Sequence, residues 1–356
     1  MLIFRYLNRE ILRPLATICV ILGVIFAGYS VTRYLPDAAN GMMTGTTVVV
    51  LVLLKVLIAL EVLIPVTLFL SIITVLGRMH AESEIIAMEA CGLGERTLLW
   101  SVLKVSLLIA VLVAGLSLYA RPWAYEKSYW LKSNAEENFD FARLRPGRFH
   151  EFGVSRNVVF LESIDGQRER AEGVFIQQRD GQRRKITHAR EAWQELDPET
   201  ARKTLVLYDG YHYEIAENGV ETVLARFQEF RLPLVPKQIG STEYRLKAAS
   251  TQDLAASSSP EAEAEFQWRI STALSTVLLG LLGIPLGRTA PRRGKAAKTF
   301  LAVLVFAAYY NMTVVAKTWV EQGVVSGFPG IWWPQIALAV LLIVLLKRSH
   351  SGRAVY

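Results

Sequence analysis

Residues 48–76 read VVVLVLLKVLIALEVLIPVTLFLSIITVL, and Lys55 and Glu61 are the only charged side chains in this run. A helix of this length measures roughly 43 Å at 1.5 Å per residue, whereas the hydrocarbon core of a bilayer is about 30 Å thick. The run therefore predicts a helix that crosses a membrane.

Five further apolar stretches accompany this one, and a long polar insert separates the first three from the last three. The six stretches are 11–31, 48–76, 98–120, 270–286, 300–320 and 331–346. We therefore expect a polytopic α-helical membrane protein with six transmembrane helices arranged as three plus three. The expected domains are helices one to three in 1–120, the insert in 121–265 and helices four to six in 266–356.

Composition supports a membrane protein and argues against a nucleic-acid-binding one. Of the 356 residues, 52% are hydrophobic, the mean hydropathy is +0.30, and the net charge of +7 arises from cations beside the apolar stretches. The chain lacks a phosphate-binding glycine motif, a Cys/His cluster at metal-ligand spacing and a recognisable catalytic constellation. We expect a protein that is not an enzyme and holds no cofactor or metal. If it works against a gradient, its energy source is another chain.

The short loops predict the orientation of the helices. Lys and Arg residues precede the first stretch, link the fourth to the fifth and follow the sixth, whereas residues 35–47 and 321–330 contain none. Because cytoplasmic loops carry the excess of Lys and Arg, both termini are expected in the cytoplasm. The insert then lies across the membrane, which places it in the periplasm if the host is a Gram-negative bacterium.

The insert reads as a series of short strands. Runs rich in β-branched and aromatic residues occur at 158–164, 173–178, 204–208, 211–215 and 220–230. The dipeptides Asp165-Gly166, Asp180-Gly181, Asp209-Gly210 and Asn218-Gly219 resemble hairpin turns. This pattern predicts an antiparallel sandwich, jellyroll or open barrel. Residues 158–161 are apolar on both faces, which fits either a central sandwich strand or an apolar interior open to lipid chains.

The insert returns to the membrane through residues 257–261, which read SSSPE. Ser259 suits a helix cap and Pro260 the first helical position. A helix is therefore expected to begin here and to run into the fourth apolar stretch.

A second informative segment, residues 81–92, lies in the loop between helices two and three. Good helix formers followed by Gly92 predict a short helix, and residues 78–96 carry four glutamates and two arginines. One interpretation is a solvated connector. The other is a docking helix, in which Ile85, Ile86 and Met88 enter a groove of a partner while Glu84 meets its basic rim.

Charged residues in or near the membrane are costly and call for an explanation. Arg33, Lys55 and Lys317 lie toward the outer helix ends, where they either snorkel to the interface or form a ring that faces anionic headgroups such as phosphates. Glu61 lies deeper, where a charge costs about 2.5–3.5 kcal/mol on insertion scales, so it is expected to face the bundle interior or to be protonated.

Three segments carry a resemblance to a known family. IFRYLNRE at 3–10, ESEIIAMEACGL at 82–93 and QWRI at 267–270 resemble the LptF branch of the LptF/LptG permeases of the bacterial lipopolysaccharide exporter. The layout of three helices, a β-jellyroll and three helices resembles that family over the whole chain.

The resemblance implies an ATP-binding-cassette exporter and its partners. The expected partners are LptG in a heterodimer, a dimer of the ATPase LptB, which carries ATP and Mg, and the transmembrane helix of LptC. The complex would extract lipopolysaccharide from the outer leaflet of the inner membrane and pass it to a periplasmic bridge of jellyrolls.

The resemblance also implies roles for individual residues. Segment 81–92 would be the coupling helix, and its expected ATPase-coupling residues are Glu84, Ile85, Ile86, Met88, Glu89 and Gly92. Arg33 and Lys317 fall where family members carry cations near lipid phosphates, whereas Lys55 rests on the charge argument alone. The jellyroll interior, expected at Val158, Phe160 and Phe227, would receive acyl chains. The alternative is a scaffold protein that couples an ATPase to a periplasmic domain without carrying substrate.

Overall fold

The computed structural model describes residues 2–39, 43–92, 94–137, 146–152, 157–165, 170–180, 183–196, 203–216, 222–233, 246–288 and 295–351. The chain divides into two compact units, a helical unit of 1–30, 52–127 and 241–356 and a second unit of 31–51 and 128–240. Each unit is considered by itself below.

Long helices cover all six apolar stretches. The helices are α1 Leu2–Ala39, α2 Gly45–Ala81, α3 Glu84–Ala90, α4 Glu95–Gly115, α5 Arg121–Glu137, α6 Thr251–Ala256, α7 Pro260–Gly287, α8 Lys295–Glu321 and α9 Trp332–Ser351. Helix α4 continues into α5 through a π-helical turn, Leu116–Ala120. Among the described residues, α1, α2, α4 with α5, α7 and α8 provide five segments that are long and apolar enough to cross a membrane. The sixth stretch lies in the 20-residue helix α9, and the prediction of a polytopic helical membrane protein is confirmed.

Helices α2 and α7 form the centre of the helical unit. Leu68 and Ile72 of α2 pack with residues of α1, α4 and α7, whereas Phe69 on the adjacent face of α2 packs with α7, α8 and α9. Gly283 of α7 permits a close approach, since an added Cβ would lie 2.8 Å from Cγ2 of Ile72. Small residues at such crossings let helix backbones approach closely in membranes.

The start of α7 agrees with the sequence. Ser259 caps the helix by accepting a hydrogen bond from the Ala262 N–H at 3.2 Å, and Pro260 occupies the first turn. Ser, Thr, Asp and Asn are favoured at this cap because their side chains satisfy an otherwise unpaired backbone donor. The prediction that a helix begins here and runs into the fourth apolar stretch is confirmed.

The second unit contains an antiparallel sheet, as predicted. Its strands are β1 Phe149–Phe152, β2 Asn157–Phe160, β3 Ser163–Asp165, β4 Arg170–Asp180, β5 Arg183–Leu196, β6 Lys203–Ala216 and β7 Thr222–Pro233. The described strands follow the order β1-β2-β4-β5-β6-β7, with β3 beside β4, and every pair is antiparallel. The strands therefore fall inside the range 121–265 predicted for the inserted domain, whose two ends are helical.

Strand β5 was not predicted from the sequence. It reads RRKITHAREAWQEL and is rich in charged residues and helix formers. It nevertheless pairs with β4 from Arg183 to Trp193 and with β6 from Arg183 to Leu196. Ala189 and Ala192 are its residues in the buried cluster of the sheet, so tertiary context overrides a weak local preference for strand.

In each of the four neighbouring strands β4, β5, β6 and β7, the cross-strand pairing skips one residue, and the four skipped residues lie at the same level of the sheet. These residues are Gly173, Arg190, Asp209 and Gln228. Gly173 and Asp209 have positive φ values of 60° and 50°, which glycine adopts readily and aspartate tolerates. The alternation of inward-facing residues changes by one residue across this line. In β4, Ala171 faces the apolar cluster before the line, and the next residue to do so is Val174, three positions later instead of two. We call this line the crease.

The crease explains one incorrect prediction. Asp209-Gly210 was expected to be a hairpin turn, but both residues lie inside β6 and mark the crease instead. Gly210 is needed there because an added Cβ would lie within 3.0 Å of Ala189 Cα in β5. A positive φ and a close backbone approach give the same sequence signal as a turn.

One face of the sheet carries an apolar cluster of described residues that extends across the crease. Its buried members are Leu161, Ala171, Val174, Ile176, Ala189, Ala192, Leu205 and Leu207, with Val159, Ile164, Phe227, Phe230 and Leu232 packed against them. Phe227 therefore lies on the face where the sequence places the interior.

Val158 and Phe160 lie on the opposite face of the sheet. Phe160 pairs with Phe175, whereas Val159 pairs with Ile176 of the apolar cluster. Because successive side chains of a strand point to opposite faces, the interior position of β2 belongs to Val159. The assignment of Val158 and Phe160 to the interior is corrected accordingly.

Candidate functional site

A set of charged side chains is buried inside the helical unit. It contains Glu61 of α2, Arg121 of α5, and Glu265 and Arg269 of α7, and the partly buried Lys317 of α8 joins them. We call these five residues the ion cluster. It joins four helices whose segments are long and apolar enough to cross a membrane.

Glu61 accepts contacts from three helical elements. Arg121 Nε lies 3.1 Å from its Oε2, and its Oε1 accepts hydrogen bonds from Ser117 Oγ at 2.8 Å and Trp268 Nε1 at 3.2 Å. Only 2% of Glu61 is exposed. The expectation that Glu61 faces the bundle interior is confirmed. Ser117 belongs to the π-helical turn, and such turns often occur at functional sites.

Glu265 is the centre of the ion cluster. Its carboxylate lies 2.9 Å from Arg121 Nη1, 2.8 Å from Lys317 Nζ and 3.3 Å from Arg269 Nε. Lys317 Nζ also lies 3.5 Å from Glu321, one turn further along α8. Three cations therefore share one buried carboxylate.

The charges of the ion cluster balance closely. Three cations face two buried carboxylates, and Glu321, at the edge, supplies a third. An uncompensated charge inside a membrane costs several kcal/mol, so such groups pair with each other and face the bundle interior. The arrangement holds α2, α5, α7 and α8 at fixed positions through polar contacts that lipid tails cannot replace.

The three cations predicted to meet lipid phosphates occupy different environments. Lys317 is 12% exposed and forms part of the ion cluster. Lys55 is half-buried, and its Nζ lies 5.1 Å from the centre of the Tyr125 ring. Arg33 is exposed and belongs to the other unit. Among the cations of the ion cluster, sequence reasoning singled out only Lys317 and missed Arg121 and Arg269.

The short helix predicted within 81–92 is present as α3, Glu84–Ala90. Ile85 is buried and Met88 is partly buried, and both pack into the core formed with α1, α2 and α4. Ile86 is 63% exposed. The docking surface is corrected accordingly, because Ile85 and Met88 anchor α3 while Ile86 faces outward.

Contacts from neighbouring helices also hold Glu84. Its Oε2 accepts a hydrogen bond from the Tyr6 hydroxyl at 2.9 Å, and its Oε1 lies 3.7 Å from Arg78 Nη1. Arg78 additionally pairs with Glu10 of α1 and with Glu82. Glu89 is partly buried and Gly92, with φ 83°, follows the helix. Helix α3 is thus attached to α1 and α2 by both apolar and ionic contacts.

A small crevice lies beneath α3 and is lined by residues that include Leu7, His80, Ile85 and Leu98. Arg288, at the end of α7, pairs with Glu95 of α4 beside it. The ion pair between Arg288 and Glu95 links the start of α4, next to α3, to α7 at the centre of the helical unit. Within the part of the chain that the structure describes, no group of three or more His, Cys, Asp or Glu residues is arranged to hold a metal ion.

Comparisons with known proteins agree with the arrangement of helices and sheet. The family described as "Lipopolysaccharide export system permease LptF/LptG" matches residues 5–348. The chain is similar to "Lipopolysaccharide export system permease protein LptF" of Escherichia coli strain K12, with 25% identity over 347 residues that cover 97% of this chain and 94% of that protein. The Shigella flexneri protein of the same description shows the same identity and coverage.

The ionic contacts of Arg78 generate a prediction about α3. Arg78→Gln removes pairs to Glu10, Glu82 and Glu84, each worth about 1 kcal/mol or less at partial exposure. The detached population of α3 is expected to rise roughly fivefold. A spin label on Cys91, which is exposed just after α3, would report this as a larger mobile fraction in the spectrum of a Cys19→Ala background.

The matched control is Arg96→Gln. Arg96 is exposed in the first turn of α4, so its replacement should leave the Cys91 label unchanged. An identical spectrum for Arg78→Gln and the parent would show that the Arg78 contacts do not hold α3.

Proposed function

The chain belongs to the LptF/LptG family of lipopolysaccharide export permeases, and we propose that it is the permease subunit of an ATP-driven exporter that moves lipopolysaccharide from the membrane to its β domain. The ATPase is a separate chain that docks on α3, and a second permease subunit packs against the helical unit. Both termini and α3 lie in the cytoplasm, and the sheet lies in the periplasm.

The observation that carries the proposal is the apolar face of the sheet in a chain that also spans a membrane. This face extends across the crease and is lined by small residues such as Ala171, Ala189 and Ala192. Phe227 and Phe230 of β7, with ring centres 5.3 Å apart, pack over it. A lipid with several acyl chains needs such an apolar surface wherever it leaves the bilayer.

The exposed faces of the helices support the second permease subunit. Only 6% of the apolar window of α1 and 22% of that of α8 are buried within this chain, against 50% for α7. Large apolar side chains such as Val20, Val24, Leu304 and Val315 are exposed on these two helices. A lateral opening for lipid between α1 or α8 and a partner helix fits these faces.

The ion cluster suggests how Lys317 would meet an anionic headgroup. Lys317 Nζ is held by Glu265 and Glu321, and it borders a cavity of about 180 Å³. A phosphate that reaches this cavity would compete with the two carboxylates for the ammonium group. We therefore propose that Lys317 leaves Glu265 and Glu321 when it binds headgroup phosphate. Arg33 and Lys55 would contact the lipid headgroup independently of Lys317.

Photocrosslinking tests the lipid-carrying role. A photoreactive amino acid at Phe227 should capture lipopolysaccharide in membranes that contain the complete transport system with ATP. The same amino acid at Phe160, on the opposite face of the sheet, is the matched control and should capture at least tenfold less. Equal capture at both positions would contradict transport along the apolar face, and no capture at either would favour the scaffold function.

Ile86 tests the docking role of α3. Ile86→Asp places a charge on the exposed face of α3 without disturbing Ile85 or Met88, and it should weaken co-purification of the ATPase at least tenfold. Val324→Asp makes the same change on another exposed side chain in the loop after α8 and should have no effect. Undiminished co-purification with Ile86→Asp would exclude this face as the docking surface.

A further inference from the structure

Arg269 has a role that the proposed function does not use. Its side chain is fully buried, and most of its hydrogen bonds go to a segment that we call the return segment, residues 246–256. This segment carries the chain from the inserted domain into α7. Its residues and α7 belong to the same unit.

The guanidinium group donates to four residues of the return segment. Nη1 donates to Ala249 O at 3.1 Å and Thr251 Oγ1 at 3.0 Å, and Nη2 donates to Leu246 O at 3.3 Å and Lys247 O at 3.2 Å. Nε is left for Glu265. One side chain thus connects the return segment to the ion cluster.

The return segment depends on these contacts for its position. It is helical at 246–248 and in the six-residue helix α6, and a helix as short as α6 is unstable alone in water. Thr251, besides accepting from Arg269, donates to the Leu118 carbonyl of the π-helical turn at 2.9 Å. Leu254 is buried against the bundle. Charge-assisted hydrogen bonds are about twice as strong as neutral ones, so Arg269 contributes most of the polar attachment.

Glu265 connects this attachment to Lys317. The same carboxylate contacts Arg269 and Lys317. Lys317 borders the cavity of about 180 Å³, which is also lined by Leu246 and Lys247 of the return segment and by Glu261, Glu265 and Glu321. If an anionic group withdraws Lys317 from Glu265, the carboxylate retains Arg121 and Arg269 as its cations. The contact between Glu265 and Arg269 then strengthens, and Arg269 changes its hold on the return segment.

We propose that Arg269 is a positioning residue that transmits the binding of an anionic group by Lys317 to the return segment. The proposal rests on the proposed function for the nature of the anion, a lipid headgroup that bears phosphate. It requires a fixed chain of contacts from Lys317 through Glu265 and Arg269 to the backbone of residues 246–249. It assigns to the return segment the role of linking headgroup binding to the inserted domain.

Hydrogen exchange of the full-length protein, assembled with its partner subunits in nanodiscs, tests this directly. Arg269→Lys keeps a buried cation near Glu265 but loses the forked contacts to the return segment. Exchange of peptides covering 246–256 should rise about tenfold or more, while peptides of α2 remain protected. Thr251→Val, which removes one acceptor, should give a smaller rise in the same peptides.

The coupling itself is tested by Lys317→Gln, which mimics loss of the ammonium group from Glu265. In the parent it should alter exchange of 246–256 at least threefold, and in the Arg269→Lys background it should alter it little. Ser250→Ala removes the cap of α6 without touching Arg269 and serves as the control, because the effect of Lys317→Gln must persist in it.

Measurements with added ligands distinguish a failure of this proposal from a failure of the proposed function. Nanodiscs with lipopolysaccharide should reproduce the change caused by Lys317→Gln, whereas inorganic phosphate at millimolar concentration tests whether the anion alone suffices. If Lys317→Gln changes exchange equally in the parent and in the Arg269→Lys background, the transmission is contradicted. If the mutational coupling holds but lipopolysaccharide has no effect, the role of Arg269 stands and the proposed substrate fails.

Discussion

The structure of the helical unit depends on the mutual neutralisation of charges inside it. Glu61 and Glu265 are buried among helices suited to a membrane, where a lone carboxylate would be costly. Arg121 contacts both carboxylates and thereby joins α2, α5 and α7. Since no hydrophobic driving force brings helices together in lipid, these polar contacts act together with van der Waals packing to select which faces of the helices meet.

The same constraint links the two regions to which we assign function. Near α3, Arg78 and Tyr6 hold Glu84, so the exposed Ile86 is presented from a helix that is attached to the bundle. In the ion cluster, Lys317 and Arg269 share Glu265. Helices α2 and α7 form the centre of the packing between these regions. Helix α3 and the ion cluster are therefore connected through the packing of α2 and α7.

The sequence predicts the membrane helices well because an apolar run of sufficient length has few alternatives to a helix in a bilayer. It also indicates that Glu61 faces inward. It does not reveal Arg121 or Arg269, because a cation at the end of an apolar stretch is normally expected to snorkel to the interface. Their partners lie on other helices, and only the folded structure brings them together.

The sheet shows a second limit of sequence reasoning. Reading a strand from its alternation assumes that every second residue faces the apolar cluster along its whole length. The crease, which includes Gly173 and Asp209, moves this pattern by one residue within each long strand. Glycine or aspartate at such a position resembles a turn in sequence. For this reason the hairpin at Asp209-Gly210 was predicted wrongly, and β5, with its alanines facing inward, was not recognised as a strand.

The most direct test of the account is a double-mutant cycle between Glu61 and Arg121, measured as the free energy of unfolding in detergent micelles. Glu61→Gln and Arg121→Met should each destabilise the protein by roughly 3 kcal/mol, because Arg121→Met leaves Glu61 without its cation and Glu61→Gln leaves Arg121 with one of its two carboxylates. The double variant should cost about 3–5 kcal/mol, which is less than the sum of the two single changes and corresponds to a coupling energy of about 1–3 kcal/mol. Additive effects, to within about 0.5 kcal/mol, would show that the two charges do not depend on each other and would contradict the account.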